Sequence, residues 1–179
     1  MRLELVAVGE VDGNLLRQVA VGAESVLHMP VTVARDALPL PAFAYHHRRR
    51  QFLATAFIEE AVKRRPPDTT HTLAVTGADL HAPRLNFVFG QADFSDRTAV
   101  ISLARLREEF WGRRPDDELL LQRAVKEAVH EIGHTLGLGH CSDALCVMRF
   151  SNQLADTDRK SRDFCARCGR ELDLSAARR

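Results

Sequence analysis

Apolar residues recur along this chain in two alternating rhythms. Leu3 to Val8 is a short, nearly continuous apolar run, as suits a buried strand, and Asp12 then stands where it can cap a helix running through Leu15, Val19 and Val26. A second strand is predicted at Val31 to Ala34, after Pro30. Phe52, Ala56, Ile58 and Val62 form an approximate helical stripe from about Gln51 to Arg64, which Pro66-Pro67 ends. Three more strands are predicted at Thr72 to Thr76, Leu85 to Gly90 and Thr98 to Leu103, the last two separated by the turn-rich QADFSDR. Such alternation implies a mainly parallel sheet covered by helices, and the short link between the last two strands makes one of them antiparallel. The expected fold class is α/β with α+β character: a mixed, mainly parallel twisted sheet with an antiparallel edge strand, flanked by helices.

Asp116-Asp117, after Pro115, begins a long helix whose core face is Leu121, Val125, Ala128, Ile132 and Leu136. His130 and His134 fall on the opposite side, which they share with Arg123, Lys126 and Glu127. A histidine that only fills a core would stand among the apolar positions. This pair instead faces outward, onto the floor of a cleft.

The two histidines open the run HEIGHTLGLGH, which ends at His140. Four residues apart on a helix, their imidazoles leave one face about a turn apart and can place two nitrogens on one Zn²⁺. Glu131, beside the first ligand, projects to where a water on that metal could be deprotonated. Gly137 lets the chain leave the helix through positive φ, and His140 can swing back as a third ligand. Three neutral nitrogens and one open position describe a catalytic zinc. A bare HExxH arises often by chance, whereas the extended HExxHxxGxxH seldom does.

All four cysteines, Cys141, Cys146, Cys165 and Cys168, lie after the last histidine, in a C-x4-C and a C-x2-C. Disulfides scatter to tie distant segments, so this grouping reads as a tetrahedral thiolate cage for a closed, structural zinc. Two disulfides in a secreted protein are the alternative. Two Zn²⁺ per chain are expected, one open and one shut.

Composition narrows the partners. At 179 residues, with 45% hydrophobic and 27% charged, the chain suits one domain: residues 1–138 carrying the sheet and long helix, and residues 139–179 carrying the cysteines. A net charge of +1 supports neither nucleic-acid nor membrane-surface binding. The largest basic cluster, Arg48-Arg49-Arg50 after His46-His47, reads as a solvated start to the second helix. No apolar stretch approaches the ~18 residues of a membrane span. MRLELVAVGEVDG is not a secretory signal, because Glu4 breaks its apolar run. A cytoplasmic, monomeric protein is expected, and SAARR at the end reads as a frayed tail.

With these residues placed, the chain resembles the archaemetzincins, a branch of the metzincin metallopeptidases. The resemblance rests on HEIGHTLGLGHC, then Cys146-Val147-Met148, then Cys165-Ala166-Arg167-Cys168, about 40 residues in all. Sixteen residues separate Met148 from Cys165, where the family pattern has seventeen. The resemblance implies a metzincin-like fold with a small C-terminal zinc-knuckle part. His130, His134 and His140 would hold the catalytic zinc, with Glu131 as general base and acid. Met148 would be the Met-turn residue beneath the imidazoles, and Cys141, Cys146, Cys165 and Cys168 would hold the structural zinc. The sole tyrosine, Tyr45, lies far upstream, so a zinc-reaching tyrosine after the Met-turn is not expected. No cysteine precedes Cys141, so no latching cysteine is expected either.

The expected function is hydrolysis of peptide bonds by attack of a zinc-activated water. An extended substrate would pair with the upper edge strand, for which Leu85 to Gly90 is the candidate. The alternative is a weakly active or inactive protein- or nucleic-acid-binding module acting through its four-cysteine zinc knuckle. Glu131 argues against it, since zinc binding does not need that carboxylate. So does the knuckle neighbourhood, which mixes acids with its bases.

Overall fold

Strand and helix follow one another through most of the chain in the computed structural model, which describes residues 1–177. In chain order they are β1 (Leu3–Val8), α1 (Gly13–Leu27), β2 (Val31–Val33), β3 (Tyr45–His46), β4 (Gln51–Leu53), α2 (Ala54–Arg64), β5 (His71–Thr76), β6 (Leu80–His81), β7 (Gly90–Asp93), β8 (Thr98–Ser102), α3 (Asp117–Thr135), α4 (Leu154–Arg159) and α5 (Ala166–Ala177). The main sheet has the order β2-β1-β5-β8-β7, with every neighbouring pair parallel except β7–β8.

Both faces of this sheet are covered, which is why its central strands read as unbroken apolar runs. Leu3, Leu5, Leu73, Val75, Ala99 and Ile101 point to one face and pack with Leu16 and Val19 of α1 and Ala124, Ala128 and Ile132 of α3. Their neighbours Val6, Val8, Ala74 and Val100 point to the other face, against Ala54, Phe57, Ile58 and Ala61 of α2. A third cluster joins Ala23, Val125 and Val129 to Leu138, Cys141, Cys146, Val147 and Met148, so the segment after α3 folds back onto α1 and α3.

The sheet and long helix match the expectation, including its caps. Asp12 accepts a hydrogen bond from the Leu15 amide, and Asp116 accepts one from the Leu119 amide. Four local readings are corrected. Residues 51–53 are not the first turn of a helix but strand β4, antiparallel to β3 and parallel to β6 in a small second sheet. Arg48-Arg49-Arg50 is therefore a turn between strands, with Arg50 at φ 55°.

The second correction concerns the edge. Leu85 to Phe89 is not a strand; the antiparallel edge strand is Gly90–Asp93, which begins at the last residue of the predicted strand and runs into the stretch assigned to a turn. Side chains replace the ladder there. Arg49 Nη2 donates to the carbonyls of Leu85 and Asn86 at 2.9 and 2.6 Å, and Gln51 Nε2 donates to that of Asn86 at 3.0 Å. Strand-like pairing in this segment is limited to an isolated bridge between Leu80 and Val88.

The third correction is to the polar side of α3. Arg123 and Glu127 are buried, because that side packs against α4 instead of facing water. Last, Ser175 to Ala177 of the expected tail continue α5, and the final two residues lie outside the described residues.

Candidate metal centres

The histidine site is built where α3 passes beneath the antiparallel edge of the sheet. Gly133, inside the helix, makes room for what lies under it: a Cβ there would collide with Met148 Sδ. Met148 is fully buried beneath the helix at Gly133. Gly137 has φ 103°, and the chain leaves the helix through it toward His140.

Backbone carbonyls orient the two helical imidazoles. His130 Nδ1 lies 2.8 Å from the Val147 carbonyl, and His134 Nδ1 lies 2.8 Å from the Leu138 carbonyl. A carbonyl can only accept, so each Nδ1 carries the proton and each Nε2 is left with a lone pair. Those Nε2 atoms face each other at 3.1 Å. A tetrahedral zinc with ~2.05 Å bonds to nitrogen sets such an edge at about 3.3 Å. The His140 ring stacks at 24° to that of His130, and its ligand atom lies within 4.8 Å of the other two. Burial holds all three imidazoles below their ordinary pKa, most strongly His130, and the neutral form is the one that binds metal.

Glu131 shares a cleft of about 550 Å³ with these histidines. Its carboxyl is buried beneath Gly90, where a Cβ would lie 2.6 Å from Oε1. Burial raises its pKa well above the carboxylate range, and the charge of Glu127 raises it further while Lys160 opposes both. The cleft's upper wall is the segment from Arg84 to Phe89 with the start of β7, and its lower wall is Phe150 to Asn152. Phe150 sets its ring 5.0 Å from that of His140.

The four cysteines gather as predicted, with Sγ atoms all within 4.8 Å of one another and none in a disulfide. Cys141 Sγ and Cys165 Sγ are 3.8 Å apart, the edge expected for a tetrahedron of ~2.3 Å Zn–S bonds. The backbone N–H of Cys168 leads the effects that hold the Cys165 thiol down at about 7, whereas burial pushes Cys168 up. Four thiols in one small volume cannot all ionise without a cation, and a Zn²⁺ there would supply that charge. Arg167 adds a donor, 3.1 Å from Cys141 Sγ. Both donor sets fit zinc.

Cys141 follows His140 directly, and its amide donates to the Met148 carbonyl at 2.9 Å. That bond and the chain's continuity bring His140, the cysteine cluster and Met148 together. Sequence reasoning did not find three residues at the histidine site. Gly90 carried no signal as a contact of Glu131, Phe150 read as an ordinary apolar residue, and Lys160 stands in a polar run, DTDRKSRD, that suggests solvent.

Imidazoles and a buried carboxyl converging beneath the antiparallel edge of a mixed sheet make a metal-dependent hydrolase. Residues 48–174 match the sequence model of peptidase family M54. The chain is 40% identical over 172 residues to an archaemetzincin of Methanocaldococcus jannaschii, covering 96% of this chain and 93% of that one. It is similar to the crystal structure of a zinc-dependent peptidase from Methanocorpusculum labreanum, with a TM-score of 0.88 and 33% identity, over 95% of this chain and 99% of that one. It is also similar to the crystal structure of an archaemetzincin from Methanopyrus kandleri, with a TM-score of 0.83 and 39% identity, over 99% and 96% of the two chains. The chain belongs to peptidase family M54. The resemblance read from the histidine and cysteine spacings is borne out.

Proposed function

We propose that this zinc metallopeptidase cleaves peptide bonds with His130, His134 and His140 as ligands of a catalytic zinc and Glu131 as the group that takes and returns the proton. One observation carries the reading. Two Nε2 lone pairs converge at 3.1 Å, each fixed by a carbonyl on the far side of its ring, in a cleft that also holds a buried carboxyl. Zinc, when bound, supplies Lewis-acid polarisation of the scissile carbonyl and acidifies water.

The chain's own residues supply the rest. Burial raises the proton affinity of the Glu131 carboxylate, so it can take the proton from water and hold it until the leaving amine accepts it. The substrate lies extended along β7, the end strand of the sheet, whose Gly90, Gln91 and Ala92 line the cleft. This replaces the candidate edge at Leu85 to Gly90. Cys141, Cys146, Cys165 and Cys168 hold a second zinc, closed to substrate, that keeps His140 in place.

The binding-module alternative is not favoured, because such a module has no use for Glu131 buried in the cleft. Among the described residues, no helix is long and apolar enough to cross a membrane.

Glu131→Gln tests the reading. It removes the base and leaves every ligand, so zinc content and folding should stay at wild-type levels while hydrolysis falls about 10²-fold or more. Equal cleavage of a mixed peptide library by wild type and variant, read by mass spectrometry, would refute it.

A further inference from the structure

The side of α3 that carries the histidines is pinned to α4 by charge. Arg123 Nε and Nη2 donate to the two Asp158 carboxylate oxygens at 2.6 and 2.8 Å. Lys126 Nζ donates to the carbonyls of Thr157 and Asp158 at 3.0 and 3.1 Å. A third link goes deeper. Lys160 Nζ lies 3.0 Å from Glu127 Oε1, with the side chains 0% and 3% exposed. The Thr157 hydroxyl donates to the same oxygen at 3.0 Å, and Lys160 Nζ also reaches the Arg149 carbonyl at 3.5 Å.

A fully buried ion pair is a poor device for stability, because the cost of desolvating both charges offsets most of their attraction. The two outer links already join α3 to α4. The position of Glu127 suggests a use for the inner one. Residues 127, 130 and 134 lie on one stripe of α3, and Glu127 lines the same cleft as His130, Glu131, His134 and His140. Glu127-Ala128-Val129-His130 has the Glu-x-x-His spacing by which a helix places a carboxylate and an imidazole on one metal. Zinc accepts carboxylate oxygen readily. Yet the metal-binding atoms gathered within 4.8 Å here are those of the three histidines, without Glu127.

We propose that Lys160 is a positioning residue of the catalytic centre. Its buried ammonium, helped by the Thr157 hydroxyl, holds the Glu127 carboxylate off the metal and keeps the fourth coordination place free for water and substrate. This rests on the metallopeptidase reading for the identity of the metal site. Without Lys160, an unpaired buried carboxylate would stand one turn from a dication. It would become the fourth ligand and turn an open site into a closed one.

The test uses whole protein with zinc kept in the cysteine site and Co²⁺ exchanged into the histidine site alone. Lys160→Met keeps most of the length of the side chain and removes its charge. It should alter the visible Co²⁺ absorption, tighten metal binding at the histidine site tenfold or more, and lower hydrolysis tenfold or more. Adding Glu127→Gln should return the spectrum and the affinity toward wild type and recover most of the lost hydrolysis. A purely structural role would instead shift the melting temperature and leave the spectrum alone. Wild-type spectrum and affinity in Lys160→Met overturn the proposal, as does a double variant that keeps the altered spectrum. Should Lys160→Met fail to fold, Lys160→Leu takes its place and must shift the spectrum in the same direction; an unchanged spectrum overturns the proposal. Wild-type protein that binds Co²⁺ but cleaves no peptide counts against the peptidase reading, while spectrum and affinity still decide the role of Lys160.

Discussion

Replacing Gly90 by alanine should disable catalysis by one methyl group. A Cβ built on Gly90 lies 2.6 Å from both Cγ and Oε1 of Glu131 and 2.7 Å from Cδ. Ordinary contact begins near 3.4 Å, so the carboxyl must retreat by about 0.8 Å, from 3.4 − 2.6. The pocket gives it little room, because Glu131 is buried. Displacing a reacting group by roughly 1 Å costs on the order of 10²-fold in rate, equivalent to about 2.7 kcal/mol at the transition state. Gly90→Ala should therefore lower kcat by about 30- to 100-fold. Its backbone is not in the left-handed region, so β7 can accept alanine. Overpacking should cost about 1–3 kcal/mol of stability. Zinc content should not change, since Gly90 holds no ligand. The assay is steady-state hydrolysis of a cleaved library peptide, with metal analysis and a melting curve on the same preparation. Gly139→Ala is the control: its Cβ would meet nothing within 4 Å, and kcat should stay within about twofold. A Gly90→Ala enzyme with wild-type kcat would show that Glu131 need not occupy the position beneath β7.

Purified protein should hold two zinc ions per chain, and a strong chelator should take the histidine-site ion first, since only that site has an exchangeable place. One zinc, with the cysteines found as disulfides, would remove the cage. Cys165→Ser should lower the melting temperature and loosen His140 through Cys141, because the cage's binding free energy is partly folding free energy; an unchanged melting temperature counts against this. Arg113 and then Arg123 hold the Glu108 carboxyl below its ordinary 4.5, so its contribution to stability is present above that pH and lost as pH falls through the lower folded-state value. Measured as a difference from wild type, Glu108→Gln should lower the melting temperature at neutral pH, with the gap closing below about pH 4; a gap of constant size would refute the linkage.

The candidate metal ligands were legible in the sequence because their geometry is local. A helix fixes where residues four apart point, so His130 and His134 could be paired before any fold was known, and Gly137 marked where the chain must turn. The central strands were legible for a related reason: burial on both faces leaves an apolar run that needs no partner to be recognised. What tertiary structure decided depends on groups remote in sequence. Leu85 to Gly90 has the composition of a strand. Arg49 and Gln51, more than thirty residues earlier, take its carbonyls, and the ladder forms instead at Gly90 to Asp93. Gln51 to Leu53 joins a second sheet because Leu80 and His81 come alongside it. Glu127 and Lys160 look like solvated charges on two separate polar stretches, and only the packing of α4 on α3 buries them as a pair. Local periodicity determines which residues could bind metal. Which neighbours surround those residues follows from long-range packing, where a hydrogen bond or charge finds its partner only once the chain has folded.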